Sequence, residues 1–155
     1  MNIKTNSVIN DDISKRIRKV EEYSKIKFPD SYIDFIKKYN IGVPINNEFL
    51  CNKHFYAIDR FLGFVNEYKT SSYGNYDIAV VLSQIDTRLT DNPDLIGDEL
   101  IPIASLFAGD YVCLDYRKNK EKPSICVWSH EESEDFAPVT HHIADTFSEF
   151  IEMLR

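Results

Sequence analysis

The side chains of this chain that could support metal or nucleophilic chemistry are histidines and cysteines, and their spacing matches no common ligand motif. They are His54, His130, His141, His142, Cys51, Cys113 and Cys126. Imidazole and carboxylate groups can jointly bind a divalent cation. Adjacent residues of a strand point to opposite faces, however, so His141 and His142 could not both join one site. We therefore predict neither a metal site nor a cofactor.

Covalent and acid–base catalysis are not indicated either. A cysteine nucleophile needs a base beside it, whereas Cys113 and Cys126 fall in predicted strands, where a free thiol behaves as a small apolar side chain. Asp110 and Asp115 bracket a predicted strand on opposite faces, so we expect a turn residue and a hydrogen-bonded carboxylate rather than a catalytic pair. The chain also lacks GxSxG, HExxH and glycine-rich phosphate motifs. We predict that the protein is not an enzyme.

The densest charge lies in two acidic segments, one before and one after the predicted central strands. Their carboxylates are Asp91, Asp94, Asp98, Glu99, Glu131, Glu132, Glu134 and Asp135. Such groups can pair with Lys or Arg on a protein partner. The alternative is that both segments are solvated loops, because exposed charge clusters often carry no specific function.

Charge is divided unequally along the chain. Residues 1–60 carry 11 Lys or Arg against 8 Asp or Glu, a net charge of +3, whereas residues 61–155 carry 7 against 17, a net charge of -10. An acidic surface repels phosphate backbones and attracts basic proteins, so we expect a basic partner and no nucleic acid ligand. The acidity could alternatively serve solubility alone.

The composition predicts a single globular domain over residues 1–155, with 43% hydrophobic and 28% charged residues. No apolar run approaches the ~20 residues of a membrane span, and the first residues lack the apolar core of a secretion signal. Three cysteines without CxxC spacing suit a reducing compartment. We expect a cytoplasmic protein that does not bind membranes, and the oligomeric state stays open.

Apolar residues at helical spacing predict four amphipathic helices. The second begins at Pro29, which suits a first helical turn, and the last begins at Asp145 as its N-cap. The four stripes are Ile13, Ile17 and Val20; Tyr32, Phe35, Ile36 and Tyr39; Ile78, Val81, Leu82, Ile85 and Leu89; and Phe147, Phe150, Ile151 and Leu154. Each stripe requires a surface to pack against.

Period-two alternation between the helices predicts strands and an antiparallel hairpin. The predicted strands are residues 53–59, 100–104, 111–116, 124–129 and 137–143, with a turn at 108–110. We predict a loop at 43–52 and leave 61–76 unassigned. Helices at both ends with strands between them are typical of an α+β fold, an antiparallel β-sheet covered by helices.

Segments in both halves of the chain resemble the SUKH superfamily, which is named partly for the fungal Smi/Knr regulator of cell-wall synthesis. Residues 28–35, Phe-Pro-Asp-Ser-Tyr-Ile-Asp-Phe, are similar to the family's Leu-Pro-x-x-Tyr-x-x-Phe segment, with Phe28 in place of Leu. The family's ending near Asn-Gly is matched by Asn-Ile-Gly at 40–42. The later matches are Ile-Pro-Ile-Ala at 101–104, Gly-Asp at 109–110, an apolar strand ending in Asp at 112–115, and a final helix with Phe-x-x-Phe at 147–150. The likeness spans most of the chain.

The resemblance implies an α+β SUKH fold that binds and neutralises a cognate polymorphic toxin, commonly a nuclease, by direct protein–protein interaction. As such an immunity protein, or antitoxin, the chain would use its acidic segments against a basic toxin surface. The alternative is a non-catalytic regulatory or scaffold protein of the Smi/Knr type that binds a cellular protein or small ligand. An enzyme is the third and least favoured hypothesis.

Overall fold

The computed structural model describes residues 1–95 and 99–155, within which six strands and four α-helices form an α+β fold. The helices are α1 (Ser14–Ser24), α2 (Asp30–Tyr39), α3 (Ile78–Ile85) and α4 (Phe147–Met153). The strands are β1 (Glu48–Cys51), β2 (His54–Phe61), β3 (Leu100–Leu106), β4 (Tyr111–Asp115), β5 (Ser124–Trp128) and β6 (Thr140–Ala144). Short 3₁₀ turns lie at Gly74–Tyr76, Asp86–Arg88 and Pro93–Leu95. The predicted α+β class is confirmed.

The strands form one antiparallel sheet in which the spatial order follows the order of the chain. β1 and β6 are therefore its edges. The sheet curls enough to bring these edges together, because Cys51 Sγ at the end of β1 lies 3.5 Å from the carbonyl oxygen of His142 in β6. Outside β1, the backbone of Arg155 exchanges hydrogen bonds of 2.9 and 3.0 Å with Glu48. This pairing satisfies backbone groups that an open edge would expose.

Strand β1 shows that the prediction of a loop at residues 43–52 was wrong for residues 48–51. Phe49 and Cys51 point into the core and are 0% and 4% exposed, while the residue before each of them points outward. Asn52 and Lys53, both with positive φ, form the two-residue turn into β2, as type I′ hairpins require. A strand this short shows little alternation of its own, and its pairing with β2 decides its conformation.

The predicted helical stripes lie in the core. The buried members are Ile13, Ile17 and Val20; Tyr32, Phe35 and Ile36; Ile78, Val81, Leu82 and Leu89; and Phe147 and Phe150. α4 packs on β5 and β6, and α3 packs on β3. Of the helices in the described residues, none is long and apolar enough to cross a membrane.

Helix α4 begins one residue later than predicted. Its N-cap is Thr146, whose Oγ1 accepts a hydrogen bond from the Glu149 amide at 3.2 Å. The predicted cap, Asp145, instead places its carboxylate 3.1 Å from His142 Nε2. The hydroxyl can take this role because the Thr146 backbone is extended, which aims its side chain at the first helical turn.

The central strands are covered on both faces. Residues 112–114 of β4 are each 0% exposed although they alternate between the two faces. On the face that carries Trp128 of β5, the indole Nε1 donates to the carbonyl oxygen of Arg88 at 2.9 Å. Leu89 is buried beside it at 1% exposure. The segment that follows α3 thus packs against the sheet and is held in place by it.

Candidate functional site

The second acidic segment lies in the connection between β5 and β6, residues 129–139, which we call the acidic loop. Arg88, at the end of the 3₁₀ turn after α3, donates from its guanidinium to the carbonyl oxygens of His130 and Ser133, the latter at 2.6 Å. The guanidinium carbon also lies 5.2 Å from the ring centroid of Trp128. Hydrogen bonds from a charged donor are stronger than neutral ones. One side chain from outside the acidic loop therefore sets much of its shape.

Thr87 fastens the far side of the acidic loop. Its Oγ1 donates to Asp135 at 2.9 Å, and its carbonyl oxygen accepts from the Phe136 amide at 2.6 Å. At the base, Ser133 Oγ accepts from the Val139 amide at 2.8 Å. Phe136 has a positive φ of 58° and remains 37% exposed. The acidic loop thus presents an aromatic side chain directly after its carboxylates.

The first acidic segment meets the acidic loop in a pocket of about 150 Å³. Asp91 and Glu99 line this pocket together with Ala137, Pro138 and Arg117, whose guanidinium pairs with Asp115. Glu99 also lies 3.2 Å from Lys120 Nζ. The fold therefore brings the first acidic segment against the end of the loop that carries the second. We call Asp91, Glu99 and the acidic loop's Glu131, Glu134 and Asp135 the acidic surface.

The remaining predicted contact residues are placed differently. Glu132 turns toward β6, where its Oε1 lies 2.9 Å from His141 Nε2, and this hydrogen bond lowers the pKa of Glu132. Asp94 is exposed in the 3₁₀ turn Pro93–Leu95. Asp98 lies outside the described residues. Across the described residues, no Lys, Arg or His is paired in an ion pair with Asp91, Glu131, Glu134 or Asp135.

The residues that could have supported metal or thiol chemistry lie in structural roles. Over residues 1–95 and 99–155, no group of three or more His, Cys, Asp or Glu side chains could hold a metal ion. Cys51, Cys113 and Cys126 are buried free thiols, as predicted. Burial raises the pKa of each thiol, which opposes formation of a reactive thiolate.

The two aspartates that bracket β4 hold backbone and neighbouring side chains. Asp110 accepts from the His130 amide at 2.8 Å, and its carboxylate lies 2.8 Å from His130 Nδ1. Asp115 accepts from the backbone, Nε and Nη2 of Arg117. The turn before Asp110 contains Gly109 at φ +94°, where a side chain would be strained and would crowd the His130 ring. The prediction of a hydrogen-bonded carboxylate is confirmed for Asp115. Asp110 follows the turn, and its carboxylate contacts His130 instead of closing the turn.

Sequence reasoning missed Thr87, Arg88 and Phe136. The first two were hidden because they act on residues more than 40 positions later, and nothing in their local pattern marks a loop anchor. Phe136 gave a readable signal, since an aromatic residue directly follows the run of carboxylates ending at Asp135.

Comparison with known proteins finds a match at the level of the family. A family model, SUKH_6, described as SMI1-KNR4 cell-wall, matches residues 14–151. No curated protein and no solved structure matches the chain. The matched range covers all four α-helices in the described part of the chain except the end of the last, and every strand there. The chain therefore belongs to the SUKH superfamily, in its SMI1-KNR4 family, and has the α+β fold expected of it.

Proposed function

We propose that this protein is an immunity protein, or antitoxin, that neutralises a cognate toxin by binding it directly and without catalysis. Membership of the SUKH superfamily supports this role. The observation that carries the proposal is the acidic surface, to which two distant segments of sequence contribute. Within the described residues, every carboxylate of this surface except Glu99, which pairs with Lys120, is free of ion pairs. In this proposal the protein acts in the cytoplasm.

The charge of the acidic surface defines the chemistry of the partner. A toxin that acts on nucleic acid must carry a positive surface for the phosphate backbone. Carboxylates at Glu131, Glu134 and Asp135 would compete for that surface, steer the encounter and disfavour partners of like charge. The proposed partner is accordingly a protein with a basic surface, such as a nuclease toxin, and the ligand is not nucleic acid.

The hydrogen bonds that hold the acidic loop favour tight binding. Because Thr87 and Arg88 fix the loop before any partner arrives, little conformational freedom is lost on association. The positive φ of Phe136 is likewise already adopted. The acidic surface is in this sense ready to bind without refolding.

Co-expression with the product of the neighbouring gene tests the proposal. We expect that product to be lethal alone and harmless when this protein is present, and the two purified proteins to form a complex. A neighbouring product that is harmless alone, or that remains lethal in the presence of this protein, would refute the proposal. A variant with the acidic surface reversed in charge serves as the control for direct neutralisation.

A second candidate is a regulatory or scaffold protein that binds a cellular protein or a small ligand. The description of the matched family, SMI1-KNR4 cell-wall, favours it. A stable complex with a cellular protein, combined with a neighbouring gene product that lacks toxicity, would select this function over immunity.

A further inference from the structure

A groove runs between α1 and α3 on the molecular surface and has a volume of about 300 Å³. Its floor is apolar and is formed by Val20 of α1 with Ala79 and Leu82 of α3. Arg16 and Tyr23 belong to the same stripe of α1 as Val20. The residues of α1 that line the groove lie at i, i+3, i+4 and i+7, the spacing with which a helix presents one face. Those of α3, together with Asp86 directly after it, have the same spacing. Two helices that present apolar faces to a shared groove form a typical receptor for an amphipathic segment.

Tyr23 stands on the rim of this groove and is 67% exposed. The buried residues of α1 are Ile17, Val20 and Ser24, so the Tyr23 ring contributes little to the core. Exposed aromatic rings beside a pocket are the side chains that most often anchor protein interfaces, because they bury a large area for a small loss of freedom. The position of Tyr23 therefore points to a ligand in the groove.

The groove ends next to the residue that anchors the acidic loop. Asp86 lines the groove at the end of α3, and the next residue, Thr87, holds Asp135 and Phe136 of the acidic loop. Asp86 at the end of the groove is thus one residue away from the side chain that contacts the acidic loop. A single partner could contact both.

We propose that the groove between α1 and α3 receives an apolar segment of the same basic protein that the acidic surface attracts, which makes the two regions one docking surface. This inference rests on the proposed function and names the feature of the partner that it requires: aliphatic or aromatic side chains next to Lys or Arg.

Charge at the groove sets the direction of that segment. Asp86 and the neighbouring acidic loop favour Lys or Arg at one end. Lys19 lies on the α1 rim and favours a carboxylate at the other side. Arg16 does not compete for that carboxylate, because its guanidinium donates to Asp77 at 2.7 and 3.0 Å. The groove therefore accepts a segment with a basic end and an acidic end in one orientation.

Two substitutions on exposed helix positions test the groove without disturbing the core. Ser83→Trp fills the groove, and Tyr23→Ala removes its aromatic rim. The matched controls are Gln84→Trp and Glu22→Ala, which change the adjacent exposed residues outside the groove lining. All four proteins should unfold at the temperature of the wild type.

Binding of these proteins to the neighbouring gene product is then measured by titration calorimetry. We expect Ser83→Trp and Tyr23→Ala each to weaken binding about tenfold or more, as hot-spot changes do, with both controls within about twofold of the wild type. Wild-type affinity in both groove variants would overturn the inference while leaving the proposed function intact.

A second arm probes the groove without that partner. Random peptides displayed on phage are selected on the wild-type protein and counter-selected on Ser83→Trp. Peptides that carry apolar residues next to Lys or Arg should be enriched. The inference would be overturned if no peptide binds the wild type and loses binding to the Ser83→Trp variant. If the wild type fails to bind the neighbouring product, the proposed function fails, and the peptide arm still decides the specificity of the groove.

Discussion

Arg16 and Asp77 form a bidentate ion pair across 61 residues of sequence, with N–O distances of 2.7 and 3.0 Å. The Asp77 side chain is 0% exposed and also accepts from the amides of Val65 and Val80 at 2.8 and 3.1 Å. The Asp77 carboxylate therefore caps α3, accepts a hydrogen bond from the Val65 segment and forms an ion pair with α1. The spacing between α1 and α3, and hence the groove between them, depends on this residue.

Replacement of Asp77 by Ala should destabilise the fold strongly. The Arg16 guanidinium and two backbone amides would lose their acceptor in a buried site, which costs about 3–5 kcal/mol in the free energy of unfolding. Urea unfolding measures the change, and Asp94→Ala, at an exposed position, should stay within about 0.5 kcal/mol of the wild type. A loss below about 1 kcal/mol for Asp77→Ala would contradict the assigned role.

Replacement of Arg88 by Ala should loosen the acidic loop more than it unfolds the protein. The carbonyl oxygens of His130 and Ser133 lose a charged donor, and we expect a loss of about 1–3 kcal/mol. Hydrogen exchange of the amides in residues 129–139 should accelerate, whereas exchange in α2 should not. Arg18→Ala on exposed α1 surface is the control, and an unchanged exchange rate in the acidic loop would show that Arg88 is not its anchor.

Reversing Glu131, Glu134 and Asp135 to Lys should slow association with a basic partner about tenfold at low salt, since like charges then meet. The dependence of the association rate on ionic strength should weaken as well. Stopped-flow mixing at several salt concentrations measures both effects. Replacement of Asp30 and Asp34, which are exposed on α2, by Lys should leave the association rate near that of the wild type. Equal slowing in this control would show that the acidic loop has no specific role in association.

The pair Glu132–His141 makes a pH-dependent contribution to stability. The hydrogen bond from His141 holds the pKa of Glu132 below its ordinary value of 4.5. A carboxylate whose pKa is lower in the folded than in the unfolded state stabilises the fold at pH values above the unfolded-state pKa. This stabilisation is lost as the pH falls through the folded-state pKa. The difference in Tm between wild type and Glu132→Gln should therefore shrink below about pH 4.5. Thermal unfolding across the acid range tests this, and a constant difference would contradict it.

The thiols of Cys113 and Cys126 should resist modification in the folded protein. Burial raises the pKa of both groups, so little thiolate is present at neutral pH and a reagent cannot reach it. A chromogenic disulfide reagent should react with them only after denaturant is added. Ser83→Cys, at an exposed position, should react at once, and equally fast reaction of Cys113 would contradict the burial.

The sequence predicted the helices and most strands because those patterns depend on near neighbours. The stripe of Tyr32, Phe35 and Ile36 needs only a surface to pack on, and it is buried as predicted. The turn before β4 was predicted from Gly109, which adopts a positive φ of 94° at low cost. β1 was missed because its pairing partner, more than its own composition, makes residues 48–51 a strand.

Only part of the candidate site could be predicted from the sequence. Composition identified the two acidic segments, including the carboxylates at Asp91 and Asp135, because charge density is a local property. The position of the second segment in the fold depends on contacts such as the hydrogen bond between Thr87 and Asp135, which are 48 residues apart. The groove beside them depends on Arg16 and Asp77, 61 residues apart. Two residues so far apart in sequence can form a stabilising contact only after the fold has brought their segments together. The proximity of the acidic surface to the groove is therefore decided by the tertiary structure.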